Sequence, residues 1–287
     1  MVAARHRPGE PVAVPYAPPG NRALPVEVLD RASVLARTRL PGDRQRLEFH
    51  VLMLCTSGEG SHVVDFEPVR MRVGTCLRVH PGQVQRWVAE PDFEAELVVW
   101  RAQAHPQDPI SPAWFPGCGA ATSWDLASVA FAEVRRAIAD IRREGDRFAG
   151  SPREVALLTT LLRALLLRLA IAAPESEPDV GRLPQAYLGF RARVEERLHD
   201  RPTVAELARE LGYSTRTLDR VSKEAAGQTA KEVIDQRLAL EIRRLLTHTD
   251  RPIANIASDF GFDDTSNFTK YVKRLLGDVP SRIRSDG

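Results

Sequence analysis

Lysine and cysteine are both scarce in this chain. Among 287 residues there are only four lysines (Lys223, Lys231, Lys270 and Lys273) and three cysteines (Cys55, Cys76 and Cys118). An odd number of scattered cysteines without a CxxC pair argues against a disulfide framework and a zinc site. The same cysteine usage is typical of a protein from a reducing cytoplasm.

Long uninterrupted apolar runs are also missing. Residues 1–20 carry basic side chains without an apolar segment, so we expect no secretory signal. The most apolar stretch, residues 155–173, is interrupted by Arg163 and Arg168, so we expect no membrane-spanning helix. These features predict a cytoplasmic protein that does not interact with a membrane.

Positive charge is nearly balanced by negative charge. The net charge is +2, and residues 1–185 contain equal numbers of basic and acidic side chains. Residues 186–287 hold 18 basic and 16 acidic side chains, so the whole excess lies there. A nucleic-acid partner would therefore require the positive charge to be concentrated on one face of this last part.

The order of apolar, proline-rich and polar segments predicts two domains connected by a linker. Residues 1–28 are rich in proline and are expected to form a flexible arm. Residues 29–172 contain short segments with the pattern of strands, separated by glycine turns, and then two helical segments. This order predicts a small antiparallel β-barrel or sandwich that is followed by helices. Residues 173–185 are predicted as the linker, and residues 186–287 as an all-helical domain.

The two helices that follow the predicted strands carry apolar stripes. The first stripe consists of Phe131, Val134, Ile138 and Ile141, and the second helix, over 153–173, is leucine-rich around more than half of its circumference. Such a helix must pack against something. The helices can pack against the strands of the same domain or against a partner molecule. We expect intramolecular packing to cover at least one face.

The helical domain contains an internal repeat, in which residues 203–227 align with residues 252–277. Each copy has an alanine that permits close helix packing, a glycine that ends the first helix, and a polar residue that caps the second. The matched pairs are Ala208 with Ala257, Gly212 with Gly261, and Ser214 with Asp264. This order predicts two helix-turn-helix motifs, over 203–224 and 252–275.

A projection at 100° per residue places polar side chains on the outer face of the second helix in each motif. Leu218, Val221, Phe268 and Tyr271 face inward, whereas hydrogen-bond donors dominate outside. A polar helix face is ordinarily only solvated, but two copies with matching caps and glycines favour a DNA major groove. The helix between the motifs, residues 229–249, would span roughly 30 Å, close to the roughly 34 Å between successive major-groove faces.

The C-terminal hundred residues resemble the DNA-binding domain of the AraC/XylS family of bacterial transcription regulators. The similarity rests on "ELARELGYSTRTLDRVSKEAAGQTAKEVIDQRLALEIRRLL" and "TDRPIANIASDFGFDDTSNFTKYVKRLLGDVPSRIR". Val221 and Ser222 depart from the aromatic-lysine pair usual in the family, and "PSRIR" departs from its usual ending. The resemblance implies a regulator that binds double-stranded operator DNA, acts as a homodimer, can contact RNA polymerase, and has neither catalytic residues nor a cofactor. The predicted DNA contacts are Thr215, Arg216, Asp219, Arg220 and Lys223 in the first motif and Thr265, Ser266, Asn267, Lys270 and Lys273 in the second.

The segment "TSGEGSHVVDF…VRMRVGTCLRVHPGQVQRWV" is similar, more weakly, to the cupin-like sensor domain of the same family. The resemblance implies a small-molecule effector bound in the barrel, and we nominate Trp87, with His50 and Gln85 as partners. Tryptophan offers a stacking face and one N–H donor, although a purely structural core tryptophan is about as good an explanation. The alternative class is a cupin-type metalloenzyme with a fused helical DNA-binding domain, and a third is an architectural DNA-binding protein without a sensor.

The metalloenzyme alternative would use His50, His62 and His80 as metal ligands. No HxH pair exists, and Gln85 occupies the position after "PGQV" where cupins usually carry a ligand histidine. We therefore predict that the protein is not an enzyme and has no metal site.

Overall fold

The computed structural model describes residues 12–18, 24–37, 44–88, 92–101, 123–172 and 184–285. The chain divides into two compact units, whose described residues lie within 11–177 and within 178–287. Residues 173–183 of the predicted linker, which covers 173–185, lie outside the described residues. The boundaries of the linker therefore stay a prediction.

The N-terminal unit contains ten strands and three helices within its described part. The strands are β1 (Val12–Val14), β2 (Val26–Asp30), β3 (Gln45–Leu47), β4 (His50–Ser57), β5 (Glu59–Val64), β6 (Glu67–Arg72), β7 (Thr75–Val79), β8 (Val84–Val88), β9 (Glu94–Trp100) and β10 (Ser123–Asp125). The helices are α1 (Arg31–Arg37), α2 (Ser128–Asp146) and α3 (Pro152–Ala172).

These strands form two open sheets, not the closed barrel that we predicted. The first sheet has the order β1-β3-β8-β5-β6 and the second β10-β7-β4-β9-β2. Each sheet ends in edge strands that pair with only one neighbour among the described residues, and β1 runs parallel to β3. Of the two predicted alternatives, the closed barrel is wrong and the sandwich agrees with two open sheets, while the parallel pairing of β1 with β3 departs from the expected antiparallel arrangement.

The expectation of a flexible arm over 1–28 does not hold for its described segments. β1 pairs with β3 and the start of β2 pairs with β9. Tyr16 and Leu24 are buried, and the Tyr16 hydroxyl donates to the Leu24 carbonyl oxygen at 3.1 Å. The partners of these strands lie far away in sequence, which is why local proline content suggested an arm.

The central strand β4 has a continuous apolar run because both of its faces are covered. Val51, Met53 and Cys55 contribute to the core between the two sheets. The helices α2 and α3 pack against each other, and both contact β2 of the same sheet. In α2 the predicted stripe is confirmed for Val134, Ile138 and Ile141, which are buried.

The helix α3 is the one described helix that is long and apolar enough to cross a membrane by length and composition alone. A core helix of a soluble protein satisfies the same criterion. Buried leucines follow one side of α3: Leu158, Leu162, Leu165, Leu166 and Leu169. Leu157 and Ile171 remain 44% and 85% exposed.

The C-terminal unit is helical throughout its described elements. It consists of α4 (Gln185–Glu196), a short 3-10 helix (Leu198–Asp200), α5 (Val204–Leu211), α6 (Thr215–Ala226), α7 (Ala230–His248), α8 (Ile253–Asp259), α9 (Thr265–Leu276) and α10 (Pro280–Ser285). A continuous apolar core runs from α4 to α9, and α7 packs against both halves of the repeat.

Local signals set the ends of these helices. Thr203 and Glu206 form a capping box at the start of α5, and Thr229 and Glu232 form another at the start of α7. Hydrogen bonds from the backbone and side chain of Thr203 lower the pKa of Glu206. Gly212, at the end of α5, has a φ of 72°, in the left-handed region that glycine adopts without strain.

Candidate DNA-binding interface

The second helix of each repeat presents its predicted contact residues to solvent. Thr215, Arg216, Arg220 and Lys223 on α6 are exposed, as are Thr265, Ser266, Asn267, Lys270 and Lys273 on α9, while Asp219 is half-buried. The opposite face is locked into the core by Leu218 and Val221 in α6 and by Phe268 and Val272 in α9. Tyr271, which we expected to face inward, is only half-buried.

Both helices begin at a side-chain cap that holds the first turn in place. The Ser214 hydroxyl accepts from the Thr217 N–H at 3.0 Å, and the Asp264 carboxylate accepts from the Asn267 N–H at 2.8 Å. Because the caps satisfy otherwise free N–H groups, the first turn of each helix is ordered. The predicted DNA-contacting side chains of that turn are therefore held in place. The Asn267 side-chain amide also donates to Asp264, so this amide is oriented before any DNA arrives.

Asp219 has a partner inside the protein. Its carboxylate accepts from the backbone N–H of Ala230 at 3.0 Å, at the first residue of α7. A carboxylate at a helix N-terminus is favoured by the helix dipole. Asp219 therefore connects α6 to the start of α7, and its predicted contact with DNA stays a prediction.

Arg220 is engaged by an acidic residue one turn further along α6. Its Nη1 donates to both carboxylate oxygens of Glu224, at 2.7 and 2.9 Å. Both side chains are at least half exposed, so the pair is weak and can open. Within the described part of the chain Arg216 has no ion-pair partner, which leaves its guanidinium available for a ligand.

The position equivalent to Val272 in the first motif is Ser222, which is fully buried. Its hydroxyl has no hydrogen-bond partner among the described residues. A small polar residue here replaces the branched apolar side chain of the second motif. The core beneath α6 is therefore less apolar than that beneath α9, in line with the departure from the family pattern seen in the sequence.

The predicted effector residues do not all lie together. Trp87 and Gln85 lie on β8, on the face that packs between the two sheets, and both are buried. His50 lies on the other sheet, where its ring stacks on Trp100 with centroids 5.2 Å apart. The structure thus separates His50 from the other two.

His62 takes the place that we had given to His50. It pairs with Trp87 across β5 and β8, and the two rings meet edge to face with centroids 5.0 Å apart. Its Nε2 lies 3.0 Å from the Gln85 side-chain oxygen, and the Gln85 amide donates to Gln45 at 3.3 Å. Burial lowers the pKa of His62 to about 4, so the imidazole is neutral near pH 7.

Two polar atoms in this buried group lack partners. Neither His62 Nδ1 nor Trp87 Nε1 has a hydrogen bond within the described residues. Because Nε2 of a neutral His62 donates to Gln85, its Nδ1 is an acceptor, whereas Trp87 Nε1 is a donor. The site therefore offers one acceptor and one donor beside an aromatic ring.

The histidines that would hold a cupin metal are divided between the sheets. His50 and His80 meet edge to face on one sheet with ring centroids 5.4 Å apart, and His62 lies on the other. Across the described ranges no group of three or more histidine, cysteine, aspartate or glutamate side chains is placed to hold a metal ion.

Comparisons with known proteins agree with the repeat. A helix-turn-helix domain family matches residues 207–286. The HTH-type transcriptional activator RhaS of Salmonella arizonae is 23% identical over 271 residues, covering 88% of this chain and 92% of that protein. RhaS of Klebsiella pneumoniae is 24% identical over 251 residues, covering 83% and 85%.

Solved structures are also similar. ToxT from Vibrio cholerae O395 is 12% identical, with a TM-score of 0.42, over 91% of this chain and 96% of that chain. The C-terminal domain of AraT, a response regulator from Geobacillus stearothermophilus, is 23% identical, with a TM-score of 0.35, over 37% of this chain and 88% of that chain.

A helical unit built from two capped helix-turn-helix motifs follows a sheet-rich unit, and the RhaS relatives, which match over most of their length, are HTH-type transcriptional activators. The matched helix-turn-helix domain and the similarity to these activators support the resemblance to the AraC/XylS family of transcription regulators.

Proposed function

We propose that this regulator reads its operator with α6 and α9 together and that a small molecule bound between the two N-terminal sheets controls this activity. The observation that carries the proposal is the duplicated arrangement of cap, ordered first turn and exposed donors on two helices of one compact unit. Arginine suits bidentate contact with guanine, and lysine suits phosphate.

The DNA-reading half is tested by three alanine variants of the full chain, titrated on operator and on scrambled DNA. Arg216→Ala and Arg220→Ala should each cost about 1–3 kcal/mol on the operator and much less on scrambled DNA. Lys273→Ala should weaken both alike and reduce the salt slope by roughly one unit. Arg209→Ala, an exposed arginine on α5, is the matched control. Equal losses on both DNAs for Arg216→Ala and Arg220→Ala would mean that α6 does not read bases.

The effector half rests on the unpartnered pair of His62 Nδ1 and Trp87 Nε1. A hydroxyl group can donate to the first atom and accept from the second, so the ligand class we propose is an uncharged molecule with at least one hydroxyl. A carboxylate is disfavoured because its oxygens would face the Nδ1 lone pair in a buried site without a countercharge. The aromatic face of Trp87 can stack on the apolar part of such a ligand.

This proposal is tested by the shift in melting temperature of the full chain with a panel of uncharged hydroxyl compounds and a panel of carboxylates of similar size. Stabilisation by members of the first panel only is expected, and it should disappear in Trp87→Phe and His62→Phe. Trp124→Phe, a buried tryptophan on β10 of the other sheet, is the control. Stabilisation by carboxylates alone, or hits that both site variants retain, would contradict the ligand class.

Further features support the remaining expectations for a regulator of this family. Two sheets packed face to face support a cupin-like sensor, and the exposed Leu157 and Ile171 on α3 support a homodimer through this helix. Sedimentation velocity tests the dimer, since Leu157→Asp with Ile171→Asp should then yield monomers. RNA polymerase as a partner and a cytoplasmic location belong to the same proposal.

A further inference from the structure

The turn between α4 and the first motif reaches the second motif at two points. The His199 ring stacks on Phe260, with centroids 5.0 Å apart and 24° between the planes. Arg201 Nη2 donates to the carbonyl oxygen of Gly261 at 2.8 Å, in the turn between α8 and α9. The same guanidinium lies with its central carbon 3.7 Å from the centre of the Phe262 ring.

The backbone of Arg201 indicates that this arrangement is specified. Its φ is 51°, and it is one of two non-glycine residues with positive φ in the described part of the chain, the other being Asp65. This left-handed conformation is ordinarily left to glycine or asparagine. A long cationic side chain at such a position is explained when the side chain performs a function that glycine cannot.

The two copies of the repeat differ at this point. After the turn glycine, the first motif has Tyr213, which is 40% exposed. The equivalent Phe262 of the second motif is half-buried and contacts Phe268 and Tyr271 of α9, with centroids 5.3 and 5.2 Å away. Arg201 lies beside the first motif in the sequence. Its side chain nevertheless contacts an aromatic cluster of the second motif, which includes two side chains of α9.

We propose that Arg201 is a positioning residue that fixes α9 relative to α6, and thereby the spacing of the two DNA segments that the protein binds together. The helix α7 packs against both motifs and sets their distance, and Arg201 supplies a second connection that resists rotation. The inference rests on the proposed reading of DNA by both helices. Arg201 itself is not a DNA contact in this account.

The test measures how affinity depends on the spacing of the two DNA segments. An operator is first selected from random-sequence DNA with the wild-type full chain, and one base pair is then inserted or deleted between the two recognised segments. Arg201→Gly removes the side chain and relaxes the backbone, and Arg201→Asn does the same with a residue that tolerates the left-handed conformation. Arg197→Ala is the matched control, because Arg197 forms ion pairs with Asp200 and Glu210 in the first half only.

We expect the wild type and Arg197→Ala to lose DNA affinity strongly when the spacing is altered. The fold-loss of affinity in both Arg201 variants should be smaller than the wild-type loss by a factor of at least about three, in the range typical of coupled groups. A uniform loss on all spacings, or the wild-type spacing profile in folded Arg201→Gly and Arg201→Asn, would overturn the proposal. Circular dichroism melting shows that the variants are folded. If instead the wild type selects no operator with two segments, it is the proposed function that fails.

Discussion

At the scale of single residues, helical periodicity predicted which side chains of α6 and α9 are exposed, and the structure agrees for every predicted contact residue except the half-buried Asp219. Tyr271, which was predicted to face inward, is also only half-buried. Partnerships between distant residues could not be predicted. Asp219 contacts Ala230 across a turn, and His62 meets Gln85 across two strands. The Arg220–Glu224 pair was within reach of the sequence, because i and i+4 residues are neighbours on a helix.

The hydrogen bond between Asp219 and Ala230 leads to a first prediction. Asp219→Ala should lower the free energy of unfolding by about 1 kcal/mol, since the N–H of Ala230 loses its acceptor. Its affinity should fall equally on operator and scrambled DNA. Thermal melting and the two titrations measure this, with Asp263→Ala, an exposed aspartate, as control. A change in base preference with unchanged melting would support Asp219 as a base contact.

The buried His62 leads to a prediction about pH. Its pKa is about 4 in the folded protein and about 6.5 when unfolded, so between these values only the unfolded chain binds the proton. Above pH 6.5 the neutral His62 does not reduce the free energy of unfolding. As the pH falls from 6.5 towards 4, protonation of the unfolded chain should lower the free energy of unfolding by an amount on the order of 3 kcal/mol.

Denaturant unfolding followed by tryptophan fluorescence measures this loss. All four tryptophans precede residue 125, so their fluorescence reports on the part of the chain that contains His62. His62→Gln should have a flatter dependence of the free energy of unfolding on pH than the wild type. An unchanged slope in His62→Gln would show that another group causes the pH effect.

At the scale of elements, the helices were predicted better than the sheets. Caps, turn glycines and apolar spacing are local, so the limits of both motifs could be found in the sequence. The strand pairings depend on residues far apart, such as Val12 with Gln45 and Val26 with Trp100. The number of strands therefore suggested a barrel, while their order in two open sheets needed the structure.

The matching caps lead to a prediction for both recognition helices. Ser214→Ala and Asp264→Ala should each reduce the free energy of unfolding by about 1 kcal/mol, because an N–H in the first turn loses its acceptor. Ser214→Gly should cost only a few tenths of a kcal/mol and is the control. Chemical denaturation provides the measurement. An Asp264→Ala variant as stable as the wild type would show that the cap of α9 is unimportant.

At the scale of the whole molecule, charge distribution is more informative than net charge. The excess of basic residues is small and lies after residue 185, where exposed Arg216, Lys223, Lys270 and Lys273 belong to two recognition helices. We therefore predict that the logarithm of the DNA affinity falls linearly with the logarithm of salt concentration, because these cations displace counterions from phosphates. Titrations between 50 and 200 mM salt, roughly the range in which such effects are large, measure the slope. An affinity independent of salt would exclude this surface.

The central claim is that two recognition helices of one chain bind neighbouring major-groove segments. Hydroxyl-radical footprinting of the full chain on its selected operator tests this claim most directly. We predict protected segments in pairs, with the members of each pair on one face of the duplex and about 10 base pairs apart. Arg216→Ala should weaken protection of one member and Lys270→Ala that of the other. A single protected segment for each bound chain, weakened alike by both variants, would contradict the account.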